Sequence, residues 1–346
     1  MTPDPPGLDL DALRGYLQPL VGDLAGPLHA ELIPGGRSNL TYVVSDSRRT
    51  LVIRRPPLAH VLPTAHDMRR EYTVQRALGL AGFPVPPLVA LCSDESVIGA
   101  PFYVMEQVAG HVVRTALPAE LPDTAQTRWR MSEALVATLV RLHSLDPDAI
   151  GLEGFGRPQG FLERQVRRWW QQWLASTTRD LPAMDRLHRW LETALPAQGP
   201  AAIVHGDYRL DNVMFAPGDP SRIAAVLDWE MSTVGDPLCD LGLLLVYWAE
   251  SEDEPAARSL HGRSVTCQPG FFRRSDLINA YHAGTSRDLS ALEWYVAFGT
   301  YKLAIIMEGI AARFLMGMTV GEGFDAVGPL VPAVVERGLA SIGQRH

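Results

Sequence analysis

One stretch limits what this chain can fold into more than any other: residues 201–240, AAIVHGDYRLDNVMFAPGDPSRIAAVLDWEMSTVGDPLCD. Two short runs rich in apolar and β-branched residues, Ala201 to Val204 and Arg222 to Leu227, each end abruptly in polar residues that a buried strand would not choose. The first run delivers His205, Gly206, Asp207, Tyr208, Arg209, Leu210, Asp211 and Asn212; the last delivers Asp228, Trp229 and Glu230. Between them a third apolar run, Val213 to Ala216, and a turn at Pro217 to Ser221 predict a hairpin whose open end brings Asn212 and Asp228 side by side. Asp207 then lies one loop away.

Two carboxylates and a carboxamide converging at strand ends are hard oxygen ligands. Mg²⁺ prefers one or two such groups and completes its shell with water and phosphate oxygens. The stretch therefore suggests a metal held against a nucleotide. A hairpin with merely solvated ends would not need His205, Asp207, Asn212 and Asp228 in this order.

HGDYRLDN resembles the H-x-D-x-x-x-x-N catalytic loop shared by protein kinases and by the aminoglycoside phosphotransferase and choline kinase-like enzymes, and LDWE stands where protein kinases carry D-F-G. The H-G-D form, the D-W-E ending and the following GDPLCDLG resemble the aminoglycoside phosphotransferase side of that superfamily. The longer wording is most similar to the kinase-like domains related to the N-terminal part of acyl-CoA dehydrogenase family members 10 and 11. The resemblance implies that Asp207 accepts or orients the proton of a substrate hydroxyl, and that Asn212 and Asp228 hold Mg²⁺. Arg209 stands where protein kinases often carry a lysine directed at the transferred phosphate, and Glu230 is placed to reach a second metal through water.

A chain of 346 residues, 47% hydrophobic and 20% charged, has the composition of an ordinary globular protein with a substantial core. Its 31 basic and 39 acidic residues give a net charge of −8, so no general nucleic-acid footprint is present. Cys92, Cys239 and Cys267 are odd in number and lie far apart, which fits a reducing cytoplasm. The start, MTPDPPGLDLDALRGYL, lacks the basic and apolar regions of a secretory leader, and no uncharged apolar run is long enough to span a bilayer. No membrane partner is expected.

Taken in order, Leu8 to Val21 reads as a leading helix, and strand patterns follow in HAELI, LTYVVSD and TLVIRRP. Gly35 and Gly36 fall where a nucleotide-covering loop lies in kinases, with Ser38 and Asn39 as further phosphate contacts, although no G-x-G-x-x-G is present. The third strand carries Arg54 and Arg55 where protein kinases use lysine. Alternation sends the two to opposite faces. Arg54 follows Val52 and Ile53 as that lysine follows V-A-I, and is the choice for the nucleotide's α and β phosphates. A helix from about Met68 to Leu80 places Glu71 where the basic residue's partner belongs. PPLVALC and PFYVMEQ complete a five-stranded antiparallel sheet, and Glu106, Gln107 and Val108 occupy the strand exit that meets the adenine edge in kinases.

The rest is mainly helical. Trp169, Trp170, Trp173 and Trp190 fall at helical spacings that favour core over substrate pocket. Asp236 and Pro237 read as the start of a helix, with Asp240 bracing the catalytic loop as in related kinases. The polar loop 251–270 offers Arg258, His261 and Arg263 to an anionic substrate. Lys302, Glu308 and Arg313, on an apolar helix, should be paired or face a cavity, and are the best candidates for neighbours of the substrate.

The expected fold is therefore α+β: a protein kinase-like two-lobed fold with an N-terminal nucleotide-binding lobe, residues 1–107, and a catalytic and substrate-binding helical lobe, residues 108–346. ATP and Mg²⁺ are the implied cofactors. The implied partner is a small-molecule hydroxyl substrate, either an amino sugar or a hydroxyacyl-CoA. The absence of a dense acidic cluster leans away from the former. A non-catalytic nucleotide-binding pseudokinase, suggested by the missing lysine, is the rival; a protein kinase would need an A-P-E segment that the chain lacks.

Overall fold

In TLVIRR, Leu51, Ile53 and Arg55 point one way and Val52 and Arg54 the other. This two-residue period organises the first part of the computed structural model, which describes residues 4–22, 24–33, 39–58, 67–253, 265–318 and 323–343. Strands β1 (His29–Leu32), β2 (Leu40–Ser45), β3 (Thr50–Arg55), β4 (Leu88–Cys92) and β5 (Phe102–Glu106) form one antiparallel sheet in the order β1-β2-β3-β5-β4. Helix α1 (Leu10–Val21) buries Leu13 and Leu17 against Tyr42, Val44, Leu51, Ile53, Phe102 and Val104. Helix α2 (Met68–Leu80) covers the other face, packing Met68 on Val52, Tyr103 and Met105. Both helices start on an aspartate: Asp9 accepts the Ala12 N–H at 2.9 Å and Asp67 the Arg70 N–H at 3.0 Å.

The chain divides into two compact units, Met1–Gly110 with Ile150–Leu152 and Ala224–Ser232, and His111–Ala149 with Glu153–Ile223 and Thr233–His346. A single cut near residue 107 is therefore incomplete, because the segment carrying Asp228 and Glu230 packs with the first unit. Local chemistry explains this. The Val226 N–H donates to the Pro84 carbonyl at 2.8 Å, Arg70 to the Ser232 carbonyl at 3.2 Å, and Trp229, 1% exposed, meets Phe83 edge-on.

In the second unit, β6 (His111–Val112), β8 (Val213–Ala216) and β9 (Asp219–Val226) form one small sheet, while β7 (Ala202–Val204) pairs antiparallel with β10 (Thr233–Gly235). The last residues of β9 already belong to the first unit. The β8–β9 turn is tighter than the composition of 217–221 suggests: only Pro217 and Gly218 lie between the strands, with Gly218 at φ 71°. The remaining elements are α3 (Ala125–Ser144), α4 (Phe161–Ser176), α5 (Pro182–Thr193), α6 (Leu238–Tyr247), α7 (Arg274–Ala283), α8 (Leu292–Leu315) and α9 (Val331–Ala340).

Helix α8 is the core of this unit. By length and composition it could cross a membrane, yet 89% of its apolar window is buried inside the protein. It packs on α6 so closely that a Cβ on Gly242 would stand 2.4 Å from the Tyr295 carbonyl oxygen, and one on Gly299 would stand 3.2 Å from the Leu243 Cα. No larger residue fits at Gly242 without parting the helices. Helix α6 begins at Leu238, one residue later than the Asp-Pro signal implies, but Asp236 still accepts the Leu238 N–H at 3.1 Å.

Candidate active site

Strand alternation puts Arg54 on the α2 face of the sheet and Arg55 on the α1 face, where Arg55 donates to the Ile98 carbonyl at 2.8 Å. Arg54 meets Glu71 of α2: its Nε lies 3.0 and 3.1 Å from the two carboxylate oxygens. Its Nη2 donates to Asp228 at 2.5 Å and stands 3.6 Å from Glu230, which accepts from Asn39 at 2.9 Å. One guanidinium thus serves three carboxylates. Burial alone would push Arg54 down, but Glu71, Tyr103, Asp228 and Glu230 outweigh it and hold its pKa above the ordinary value. Glu71 is almost completely buried, and burial raises its carboxyl more than Arg54 lowers it.

Asp228 has φ 65° and is the sole non-glycine with a left-handed backbone among the described residues. Aspartate tolerates that region better than most residues, and here it turns a carboxylate out at the end of β9. The anchor is its neighbour: buried Trp229 donates its indole N–H to the Val226 carbonyl at 3.0 Å.

The second constellation follows β7. The Asp240 carboxylate, fully buried on α6, accepts the backbone N–H groups of His205 at 2.7 Å and Gly206 at 2.8 Å. His143 of α3 lies 3.2 Å from Asp240 through Nε2 and 2.8 Å from the Tyr281 hydroxyl through Nδ1. A neutral ring that donates to Asp240 and accepts from Tyr281 satisfies all three groups. Burial holds His143 below the usual histidine range. Burial would raise Asp240, but His143, His205 and the backbone donor keep it below the usual carboxylate value.

The chain passes through Gly206 at φ 86° to Asp207. Asn212, on a short 3₁₀ turn from Leu210, donates to the Asp207 carbonyl at 2.8 Å and to its carboxylate at 2.9 Å. The carboxylate is thereby locked. Arg209 Nε is 3.5 Å from Asp207, its Nη2 is 2.9 Å from Asp211, and the guanidinium lies 4.8 Å from the centre of the Tyr247 ring. The Arg209–Asp211 pair and the Tyr247 face carry no signature in HGDYRLDN. Nor does the His143–Tyr281 brace, which joins residues far apart in the chain.

Each unit offers a hard oxygen donor. Asn212 turns its amide nitrogen to Asp207, which leaves its carbonyl oxygen as the ligand end, and Asp228 has a second oxygen beyond the one paired with Arg54. Among the described residues no three His, Cys, Asp or Glu side chains gather into a metal cluster.

Other expectations meet mixed outcomes. Gly35, Gly36 and Ser38 lie outside the described residues, as do Arg258, His261 and Arg263. β5 ends at Glu106, and Gln107 and Val108 follow without helix or strand. Of the three candidates on α8, Lys302, Glu308 and Arg313, Lys302 donates to the Gly206 carbonyl. Glu308 instead accepts from the Thr178 N–H and hydroxyl, both at 2.7 Å, and from Arg179, so it fastens the α4–α5 connection. Arg313 is exposed at the helix end. Trp169 and Trp173 are core, Trp170 stacks on His188 with ring centres 4.1 Å apart, and Trp190 is half-buried.

Comparison with known proteins agrees with the motif reading. Acyl-CoA dehydrogenase family member 11 of Gallus gallus is 37% identical over 318 residues, 91% of this chain and 40% of that protein. Family member 10 of Mus musculus is 35% identical over 329 residues, 94% and 30% respectively, so the chain spans well under half of either relative. A Ralstonia eutropha crystal structure provisionally assigned as an aminoglycoside phosphotransferase is 33% identical with a TM-score of 0.78, covering 96% of this chain and 98% of that one. A family model for the phosphotransferase enzyme family (APH) matches residues 29–274, and the chain, kinase-like and α+β in fold, belongs to that family.

Proposed function

We propose that the chain is an ATP- and Mg²⁺-dependent small-molecule kinase that moves the γ-phosphate to an alcohol. The observation that carries the reading is the locked Asp207 carboxylate, fixed by Asn212 and flanked by the cationic Arg209. A fixed carboxylate can take the proton of an attacking hydroxyl, and an adjacent guanidinium offsets charge on the transferring group. Asn212 and Asp228 are assigned as the Mg²⁺ ligands, with Glu230 reaching a second ion through water; when bound, the metal neutralises phosphate charge. Arg54 is assigned to the α and β phosphates, with Glu71 orienting it. Gly35, Gly36 and Ser38 are assigned to the phosphates as well, and Glu106, Gln107 and Val108 to the adenine edge. Three widely spaced cysteines are in keeping with a reducing cytoplasm.

For the acceptor, we favour a hydroxyacyl-CoA over an amino sugar. Arg209 lies beside Asp207, its Nε 3.5 Å from the carboxylate. A cation beside the base disfavours a polycationic aminoglycoside and suits an acceptor with anionic groups. Relatives named for acyl-CoA dehydrogenation support the same direction.

The test is Mg²⁺-dependent transfer from ATP to a panel of hydroxyacyl-CoA esters, aminoglycosides and amino alcohols, with Asp207→Asn beside the wild type. Transfer to the CoA esters that the variant loses is the expected result. Transfer to aminoglycosides alone would overturn the acceptor assignment, and ATP binding with no transfer to any compound would favour the pseudokinase.

A further inference from the structure

Lys302 sits near the middle of α8, the long apolar helix of its unit, and is only 9% exposed. Its ammonium donates to the Gly206 carbonyl and stands 5.4 Å from the centre of the Trp169 ring. Asp240, on α6, holds the N–H groups of His205 and Gly206. Three backbone polar groups immediately preceding Asp207 therefore end on two oppositely charged, buried side chains. The helices that carry those side chains are locked together at Gly242 and Gly299.

A buried ammonium is an expensive way to satisfy one carbonyl, since a neutral donor or a water molecule would do. The charges around Lys302 explain why a cation stands there. Asp207 and Asp240 attract it, while burial above all, and then Arg168 of α4, work against it and hold its pKa below the ordinary lysine value. The position serves the aspartates of the catalytic loop.

We propose that Lys302 is a positioning residue which, together with Asp240, clamps the peptide groups of Gly206 from both sides and so fixes the direction in which Asp207 presents its carboxylate. Gly206, left-handed and lacking a side chain, would otherwise be the softest joint of the loop. Rotation of its peptide plane swings the Cα–Cβ bond of the next residue. A displacement of about 1 Å at a reacting group costs on the order of 10²-fold in rate. Lys302 touches neither substrate nor nucleotide in this role; it acts through the backbone.

The activity arm of the test rests on the phosphotransferase reading, whereas the structural arm does not. Lys302→Met and Lys302→Arg would be compared with wild type by hydrogen–deuterium exchange over the peptide spanning 202–212, by thermal unfolding, and by kcat and KM for MgATP with the acceptor panel above. The expected result in Lys302→Met is faster exchange confined to that peptide and a retained unfolding midpoint. With it should come a kcat lower by about 10²-fold and a KM for ATP within about threefold of wild type. Lys302→Arg should recover part of both the protection and the rate. Unchanged exchange in Lys302→Met would overturn the clamp whatever the activity, as would a loss of protection spread over the whole unit with a collapsed midpoint. If wild type transfers phosphate to nothing on the panel while the exchange result holds, the clamp stands and the phosphotransferase reading fails.

Discussion

Two charged constellations in this chain are built on opposite plans. Around Arg54 the contacts run from side chain to side chain: one guanidinium faces the carboxylates of Glu71, Asp228 and Glu230, and Asp228 is 30% exposed. Around Asp207 the fixed points are backbone groups, held from beneath by Asp240 and Lys302 with little or no exposure. The first plan has surplus negative charge and several partners for one cation, so it can exchange partners when phosphate or a metal arrives. The second has every peptide group before the base committed. Under the proposed function a nucleotide site must rearrange around its ligand, whereas a base must not move, and the two networks would divide that labour.

The sharpest way to break this contrast is Asp207→Asn, expected to lower kcat by about 10³-fold while nucleotide affinity, measured by calorimetry, stays within about threefold. Comparable loss of both would mean that Asp207 belongs to the exchangeable network instead. Asp240→Ala should act on the fold itself: it strands two peptide N–H groups and His143, and denaturant unfolding should register a loss of about 3–5 kcal/mol. A surface-like change of a few tenths would refute the fixed plan. Asp228→Asn should weaken Mg²⁺-dependent ATP binding by roughly tenfold, or 1.4 kcal/mol, with metal-free binding unaltered. Glu71→Gln probes the exchangeable plan more gently. Arg54 retains Asp228 and Glu230, so ATP affinity should fall by only about 1 kcal/mol and the fold should hold.

The smallest effect is one of pH. His143 and His188 are both buried with pKa values lowered chiefly by desolvation. Each therefore stays neutral when folded while the unfolded chain takes up protons below about pH 6.5, so stability is present above that pH and drains away as it falls. Between pH 7 and pH 6 the loss should reach at most about 0.7 kcal/mol per histidine. His143→Gln should flatten the slope, whatever it does to stability at neutral pH.

Much of the scaffold was legible because its signals are local. Alternation in TLVIRR separates Arg54 from Arg55, and five short apolar runs make the sheet. The geometry of the HGDYRLDN loop was legible because H-x-D-x-x-x-x-N compresses one arrangement into eight residues. What escaped is non-local. Tyr247 beside Arg209, and Tyr281 behind His143, become neighbours only once helices pack, and nothing in their own surroundings advertises it. The membership of 224–232 in the first unit is of the same kind. An apolar strand reads alike whichever unit it joins, and only Phe83, Pro84 and Arg70, more than a hundred residues earlier, decide the matter. Glu308 misled for a related reason, since a carboxylate on an apolar helix can serve a neighbouring connection as readily as a ligand.

That late-encoded segment bears on how the protein is made. Translation at about 5–20 residues per second leaves an interval on the order of ten seconds between the emergence of the five-stranded sheet and the arrival of Asp228 and Glu230. Throughout it, Arg54 has Glu71 for company, Phe83 lacks the indole that covers it, and the Pro84 carbonyl has no donor from β9. The nascent first unit is an unfinished object waiting for a strand that the ribosome delivers more than a hundred residues later. A fragment ending at residue 110 would share that incompleteness permanently.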